Sequence, residues 1–400
     1  MARIDSMYPE SVKVGKPLLS ELPKGWEQKS LDNYLNLESR KVNLENDKEY
    51  DLVTVKRSRG GVVRREHLKG RDISVKSQFY IKEGDFLISK RQIVHGACGI
   101  VPRNLNDSIV SNEYSVFTAK ENFYLPFLEY LSETLYFQQV CFHSSIGVHI
   151  EKMIFKLDEW FKWSFNIPPL AEQKRIAEIL LTWDKAIETV EKLVANSQRQ
   201  KKALMQQLLT GQKRLLDDNG VRFSESWEEP TLGEIANVYQ PKTISQEMLN
   251  ESGYPVYGAN GVIGFYSDFN HETEQIAVTC RGSTCGVINW TEPKSWITGN
   301  AMVINVDDNP IINKKYLYYV LSGSNLKYLI SGSGQPQITG NIKKHRILAP
   351  STIEQEKIAQ VLTLADREID LYQQQLDKLK LEKKSLMQQL LTGQKRVTVN

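Results

Sequence analysis

Apolar residues recur at an alternating four-three spacing in two stretches of the chain, at about residues 171–215 and 353–397. This heptad spacing predicts two long helices, each with one apolar stripe. The first stripe contains Ile176, Leu180, Trp183, Ile187, Val190, Val194, Leu204 and Leu208, with polar Ser197 and Lys201 between them. The second contains Ile358, Leu362, Ala365, Ile369, Tyr372, Leu376, Leu379, Leu386 and Leu390, with polar Lys383. Prolines before each stretch and Gly211 and Gly393 near their ends predict where the helices begin and end.

The helices belong to an internal repeat. The decapeptide MQQLLTGQKR occurs at residues 205–214 and again at 387–396, a shift of 182 positions that also aligns Glu172-Gln173 with Glu354-Gln355. The chain is therefore a duplicated unit. A helix of about forty residues is roughly 60 Å long, and its apolar stripe needs a partner. We predict that the two helices form an antiparallel coiled coil within the molecule. Heptads do not fix the partner, so separate packing on each domain and a homodimer remain alternatives.

The segments beside the helices have a different pattern. Short runs rich in Val, Ile, Tyr and Phe are bounded by turn-forming stretches such as residues 104–108 and 258–261, which predicts bent mixed or antiparallel sheets in an α/β (α+β) fold. We divide the chain into a first globular domain, a central spacer helix, a second globular domain and a C-terminal spacer helix. Their predicted bounds are 1–165, 166–216, 217–348 and 349–400.

Composition narrows the class of protein. A chain of 400 residues with 40% apolar and 25% charged residues is typical of a globular protein with more than one core. There is no apolar run long enough for a membrane helix and no apolar signal core near Met1, so we expect a cytoplasmic protein without a membrane partner. Its four cysteines lack the paired spacing of a zinc site, which indicates reduced thiols.

Charge is informative only locally. The net charge of +3 is too small to indicate a nucleic-acid partner. Residues 56–76, however, contain eight Lys or Arg residues against only Glu66 and Asp72, with Gly60 and Gly61 among them. This segment could face phosphates, and a solvated basic loop without a partner is the alternative.

Two sets of motifs resemble a known family. Each long helix begins in a similar way, with IPPLAEQ at residues 167–173 and APSTIEQ at residues 349–355. With the duplicated helices, these motifs are similar to the specificity subunits of type I restriction-modification enzymes over the whole chain. YGANG at residues 257–261 and CRGSTCG at 280–286 are similar to one class of target-recognition domain. The first domain departs from that class and retains Cys98-Gly99 and a run at 112–117 that is like residues 299–304.

The resemblance implies a function and a set of partners. Each variable domain would read one half of a split target in double-stranded DNA, and the paired helices would hold the two readers apart. Half-sites read from one face of the duplex lie about one helical turn, roughly 34 Å, apart. Methylation subunits, expected to number two, would dock around the helices, and restriction subunits would join them. These partners would carry out adenine methylation or cleavage.

The sequence itself offers no chemistry. An adenine methyltransferase needs a glycine-rich cofactor motif and an Asn-Pro-Pro-aromatic run, and a nucleotide-driven motor needs a phosphate-binding loop; neither pattern is present. Ser144 and Ser145 lie near His143 and His149, but nucleophilic triads are assembled by geometry and not by sequence proximity. We therefore predict no catalytic residue, no metal site and no cofactor. S-adenosylmethionine, ATP and Mg²⁺ are expected on the partner subunits.

The candidate DNA contacts are side chains that reach base edges or phosphates. In the second domain they are Asn260, Arg281, Ser283, Thr284, Gln335 and Gln337, in glycine-rich loops. In the first domain they are Lys56, Arg57, Arg59, Arg64, Arg65, Lys90 and Arg91, mainly as phosphate contacts. Two other functions fit the duplication: a non-catalytic coiled-coil scaffold and a stand-alone DNA-binding regulator. The scaffold would show no salt-dependent affinity for DNA, and the regulator would bind DNA without partner subunits.

Overall fold

The structure is a computed structural model that describes residue 12 and residues 15–259, 261–332 and 336–399. The chain divides into two compact units. The first unit comprises Met1–Thr189 and Leu376–Asn400, and the second comprises Val190–Gln375. Each unit therefore combines a sheet-rich part with portions of both long helices.

The first unit is built on two bent sheets. Among its described residues, the strands pair in the orders β2-β9-β6-β7 and β4-β3-β8-β5, with smaller pairs β1-β12 and β10-β11. All pairs in the first of these sheets are antiparallel, whereas β3 and β8 in the second are parallel, so the β4-β3-β8-β5 sheet is mixed. The strands are β1 Glu27–Ser30, β2 Leu35–Glu38, β3 Glu49–Val55, β4 Val62–Lys69, β5 Gln78–Tyr80, β6 Phe86–Ser89, β7 Cys98–Ile100, β8 Ile109–Ser111, β9 Tyr114–Ala119, β10 Ser145–Ile146, β11 Ile154–Phe155 and β12 Ser164–Ile167.

Three helices share a core with the β2-β9-β6-β7 sheet: α1 Leu125–Leu131, α2 Leu135–His143 and α3 Leu157–Trp160. They enclose an aromatic core in which Phe86, Phe137 and Trp160 are fully buried. Large aromatic rings bury much apolar area in a small volume. This core explains why a domain with such short strands can fold.

The second unit has the same kind of sheet. Among its described residues the strand orders are β13-β19-β16-β17 and β15-β14-β18. The strands are β13 Asn237–Tyr239, β14 Tyr254–Gly258, β15 Gly261–Tyr266, β16 Ile276–Thr279, β17 Ile288–Trp290, β18 Trp296–Ile297 and β19 Ala301–Asn305. The remaining helices, in chain order, are α4 Leu170–Leu208, α5 Leu232–Ile235, α6 Lys314–Gly323 and α7 Thr352–Leu391. The two long helices are α4 and α7.

Each unit joins the start of one long helix to the end of the other. In the first unit, Leu180 of α4 and Leu390 of α7 are buried in the same core. In the second unit, Leu362 of α7 and Leu208 of α4 share a core. Within each unit the helices therefore run antiparallel and also pack on the globular part. The predicted fold class, with two sheet-rich domains and two long helices, is confirmed.

The repeated sequence forms the same network at both helix starts. In the first unit, the buried carboxylate of Glu172 accepts hydrogen bonds from Trp26 Nε1 at 3.0 Å and from two nitrogens of Arg396, each at 2.7 Å. In the second unit, Glu354 accepts the equivalent bonds from Trp227 at 3.2 Å and from Arg214 at 2.7 Å. The Arg of each decapeptide therefore binds the Glu at the start of the other helix, which explains why both are repeated.

A second network repeats one helical segment further on. The Asp184 carboxylate accepts a hydrogen bond from the Tyr130 hydroxyl at 2.7 Å and forms an ion pair with Lys383 at 2.6 Å. Asp366 has the same partners in the second unit, where Tyr319 donates at 2.7 Å and Lys201 forms the ion pair. Lys201 and Lys383, which interrupt the apolar stripes, therefore have partners of opposite charge.

Candidate nucleic-acid interface

In the second unit, three loops meet at one edge of the sheet that contains β16. One loop follows β14, one follows β16, and the third includes the described residues 331–332 and 336–338. The Gly282 N–H donates to the Pro336 carbonyl at 3.0 Å, and the Thr284 hydroxyl donates to the Ala259 carbonyl at 3.3 Å. These bonds bring together the loops that carry the candidate residues of the second domain.

The described candidates Arg281, Ser283, Thr284 and Gln337 share this edge. Arg281 and Gln337 lie opposite each other in an antiparallel bridge, and both side chains are exposed. The Arg281 guanidinium has no partner among the residues that the structure describes. A free guanidinium on a loop can bind the guanine edge at two points or a phosphate. Asn260 and Gln335 lie outside the described residues, so their placement stays a prediction.

In the first unit, the tip of the β3–β4 hairpin is bound to the β6–β7 loop. The Ser58 N–H donates to the His95 carbonyl at 2.7 Å, and the Arg59 N–H donates to the Gly96 carbonyl at 3.0 Å. The loops at this edge carry Lys56, Arg57, Arg59, Lys90 and Arg91. Arg64 and Arg65 lie instead within β4.

Most of these cations are neutralised within the protein. The contacts are Arg57–Glu151 at 2.6 Å, Arg64–Asp51 at 2.8 Å, Arg65–Glu66 at 3.4 Å, Arg91–Glu113 at 2.6 Å, and Lys90 to the Asn112 carbonyl at 2.8 Å. Lys56 is exposed and has no ion pair within the described ranges. Exposed ion pairs contribute only about 0–1 kcal/mol each, so a DNA phosphate could replace a carboxylate partner at small cost.

Arg59 is held differently from the other cations. Its backbone is left-handed, with φ of 54°, and its half-buried guanidinium donates to the Ser132 carbonyl, with Nε at 3.0 Å. Gly96 has φ of 74°, in the left-handed region that favours glycine, and a Cβ there would lie 3.1 Å from Arg59 Nη1. Arg59 therefore fixes the hairpin tip to the turn after α1.

Three features of these edges were not among the DNA contacts predicted from the sequence: Gln240, Asn300 and the β10–β11 hairpin. In the second unit, Gln240 Nε2 donates to Cys280 Sγ at 3.0 Å, and the Cys280 thiol donates to the Asn300 carbonyl at 3.2 Å. Gln240 and Asn300 are exposed at the same edge. The third feature is the β10–β11 hairpin of the first unit. Single polar residues beside short strands have no distinctive sequence pattern. The available sequence signal was the faint match of residues 112–117 to residues 299–304, which include Asn300.

Burial controls the charge states near the first edge. Burial, together with the neighbouring Arg57, lowers the pKa of His95 and favours the neutral imidazole. Burial raises the pKa of the Cys98 thiol, which favours the unreactive protonated form. His95 and Cys98 therefore add little charge to this edge.

The described residues provide neither a metal-binding cluster nor a membrane-spanning helix. No group of three or more His, Cys, Asp or Glu residues within them could hold a metal ion. Among the helices that the structure describes, none is both long and apolar enough to cross a membrane.

Comparison with known proteins relates these features to a family. The family model described as "Type I restriction modification DNA specificity domain" matches residues 23–196 and 224–381. The chain is 29% identical over 142 residues to the type I restriction enzyme EcoprrI specificity subunit of Escherichia coli, an alignment that covers 34% of this chain and 35% of that protein. It is 26% identical over 288 residues to the MjaVIII specificity subunit of Methanocaldococcus jannaschii, covering 62% of this chain and 65% of the relative. The alignments thus span about a third and just under two thirds of these two relatives.

Solved structures show the same fold. The structure of the type I restriction-modification S subunit of Mycoplasma genitalium is similar, with a TM-score of 0.62 at 16% identity, covering 94% of this chain and 98% of that one. The family model matches most of the chain and both of its repeats, and the resemblance read from the helix starts is confirmed. This chain belongs to the type I restriction-modification DNA specificity family.

Proposed function

We propose that this chain is the specificity subunit of a type I restriction-modification enzyme. It binds double-stranded DNA, recognises a target in two parts and directs adenine methylation or restriction by partner subunits. One observation carries the proposal: the two units repeat the same helix-start network, while the loops at their equivalent sheet edges differ in sequence. A constant scaffold with two different reading edges fits the recognition of two different half-sites.

The edges supply the groups that DNA recognition needs. In the second unit, Arg281 presents a guanidinium that has no partner among the described residues, beside the exposed amide of Gln337. In the first unit, Lys56 and the exposed ion pairs Arg57–Glu151 and Arg91–Glu113 present exchangeable positive charge. Lysine and arginine bind phosphates and set the position of the protein, whereas amides and arginine read bases.

The chemistry of the reaction belongs to other chains. We propose that two methylation subunits bind S-adenosylmethionine and that restriction subunits bind ATP and Mg²⁺. The duplication supports two copies of the methylation subunit, since a repeated scaffold offers each binding surface twice. This chain is non-catalytic in the proposal and determines which sequence the partners modify.

The test is methylome sequencing of a host that expresses this chain with its neighbouring methylation subunit. The control is the same host with the methylation subunit but without this chain. A methylated-adenine motif in two parts that appears only with the chain supports the proposal and names both half-sites. A soluble complex that produces no new methylation motif refutes the proposal. If the affinity of that complex for DNA also does not depend on salt concentration, the scaffold function is favoured.

A further inference from the structure

The β10–β11 hairpin has an unusual division of its side chains. Strand β10 pairs with β11 through Ser145–Phe155 and Ile146–Ile154. Phe155 and Met153 are buried in the core of the first unit, whereas Ile146 is 61% exposed and Val148 is 95% exposed. The hairpin is thus anchored on one side and presents aliphatic groups on the other.

The second unit has an equivalent hairpin. Ser331 and Gln337 pair in an antiparallel bridge, with both backbone bonds at 2.9 Å. In the first unit the N–H of buried Phe155 donates to the carbonyl of the residue after β6, Lys90, at 2.8 Å. In the second unit the N–H of buried Ile338 donates to the carbonyl of the residue after β16, Cys280, at 3.0 Å. The two hairpins therefore occupy the same place in the two units.

This equivalence matters because the second hairpin carries candidate DNA contacts. Gln337 lies in it, and Arg281 pairs with it. The matching surface of the first unit should then also face DNA, but its exposed tip offers no arginine or amide. It offers Ile146 and Val148, with His149 and Lys152 beside them. Within the described ranges, Lys152 and nearby Lys156 are exposed without an ion pair, which favours an anionic partner.

Aliphatic side chains discriminate one feature of the major groove. The 5-methyl group of thymine is the apolar group exposed there, and contact with it distinguishes A·T from G·C pairs. We propose that the β10–β11 hairpin reads the first half-site through contacts of Ile146 and Val148 with thymine methyl groups. This inference rests on the proposed function. The first unit would then read bases by apolar contact, and the second by hydrogen bonds.

The hairpin is rigid enough for this role. Two further backbone bonds close its loop and base, Lys152 N–H to the His149 carbonyl and Lys156 N–H to the Ser144 carbonyl, both at 2.8 Å. A Cβ on Gly147 would lie 2.9 Å from the Cα of Met153, so the strands are in close contact at the turn. A fixed hairpin presents its side chains at low entropic cost on binding.

The experiment uses the complex of this chain with its methylation subunits. Methylome sequencing first defines the motif of the wild-type chain. Duplexes are then prepared in which single thymines of each half-site are replaced by 2′-deoxyuridine, which lacks only the methyl group, and affinities are measured by fluorescence anisotropy. For wild type, loss of one methyl contact should weaken binding about fourfold at one or two positions of one half-site.

The double variant Ile146→Ser/Val148→Ser should remove this discrimination. It should bind the thymine and deoxyuridine duplexes equally, because neither serine side chain packs on a methyl group. Val75→Ser is the matched control, since Val75 is 49% exposed elsewhere in the first unit, and it should retain the fourfold effect. Thermal unfolding checks that both variants are folded.

Other outcomes overturn the inference. The inference is overturned if the double variant Ile146→Ser/Val148→Ser still discriminates, or if no thymine methyl group affects binding in either half-site. It is also overturned if the double variant loses methylation subunits while its DNA preference is unchanged. Failure of the proposed function is distinguishable, because the wild-type complex would then produce no two-part motif at all.

Discussion

Arg396 binds both carboxylate oxygens of Glu172, with each nitrogen–oxygen distance at 2.7 Å, although 224 positions separate the two residues. The same ion pair joins Arg214 to Glu354 in the second unit. A carboxylate that is removed from water requires a partner of opposite charge, and the two-point geometry of arginine supplies it best. Each pair therefore joins the residues just after one long helix to the start of the other long helix within the same unit.

Replacement of these arginines should reveal the strength of the pairs. Arg214→Ala leaves Glu354 buried without its charge partner and should lower the free energy of unfolding of the second unit by about 3 kcal/mol. Arg396→Ala should cost less, because the Arg396 side chain is 42% exposed and that of Arg214 only 19%. Urea unfolding followed by the fluorescence of Trp227 and Trp26 measures both. Equal unfolding midpoints for Arg214→Ala and wild type would contradict this prediction.

The glycines that end the long helices provide a matched pair of substitutions. Gly211 and Gly393 both have φ of +71°, a backbone that disfavours alanine by about 1–2 kcal/mol. A Cβ on Gly393 would also lie 2.3 Å from Pro23, whereas at Gly211 the nearest atom, on Trp227, is at 3.6 Å. Thermal unfolding should therefore show a larger loss for Gly393→Ala than for Gly211→Ala. Similar losses would show that Pro23 moves aside easily.

Arg281 and Arg91 should differ in their effect on DNA binding. Arg281→Ala removes a guanidinium without an intramolecular partner in the described part of the chain. It should weaken binding by about 1–3 kcal/mol and relax the preference at one base pair. Arg91→Ala removes a cation that is paired with Glu113 in the free protein and is proposed to bind a phosphate, so it should weaken binding to all sequences alike and leave the sequence preference unchanged. Anisotropy titrations with the methylation complex measure both, and a sequence preference unchanged by Arg281→Ala would contradict base reading by this residue.

The first unit should lose stability as pH rises above the ordinary range of glutamate. Burial raises the pKa of Glu129, although the Ile100 N–H that donates to its carboxylate at 3.2 Å opposes the shift. Because the pKa is higher in the folded than in the unfolded state, this stabilisation is present below the unfolded value and is lost as pH rises through the folded value.

Glu129→Gln should therefore reduce the fall in stability as pH rises above 4.5, the ordinary pKa of glutamate. Burial also raises the pKa of Glu133. Part of the dependence of stability on pH should therefore remain in the Glu129→Gln variant. Urea unfolding at several pH values measures the slope, and Glu66→Gln on the surface of β4 is the control. An identical slope for wild type and Glu129→Gln would show that burial of this carboxylate has no energetic effect.

The sequence predicted the long helices well because their pattern is local. Heptad periodicity and the repeat identified both α4 and α7, and Leu180, Leu208, Leu362 and Leu390 of the predicted stripes are buried. The partners of Glu172 and Glu354 were not predicted, because Arg396 and Arg214 reach them only after the chain has folded. Repetition of both residue types at the same shift was the available signal.

The candidate interface was predicted less completely. Glycine-rich loops in the second unit were found because their composition is unusual, and the described ones meet at one edge. The β10–β11 hairpin was missed because exposed aliphatic residues cannot be distinguished from core residues without a structure. The ion pairs of Arg57, Arg64 and Arg91 were also invisible, since their partners come from distant segments.

The composition of the first unit has a consequence for the synthesis of the protein. Its core includes Leu390 and Leu391, which are 2% and 4% exposed, and the charge partner of Glu172 is Arg396. These residues follow the contiguous segment 190–375 of the second unit, so they are translated after it. The core whose sheet-rich part is translated first is therefore completed only after the second unit has been made, and until residues 376–396 emerge this open core depends on protection from aggregation.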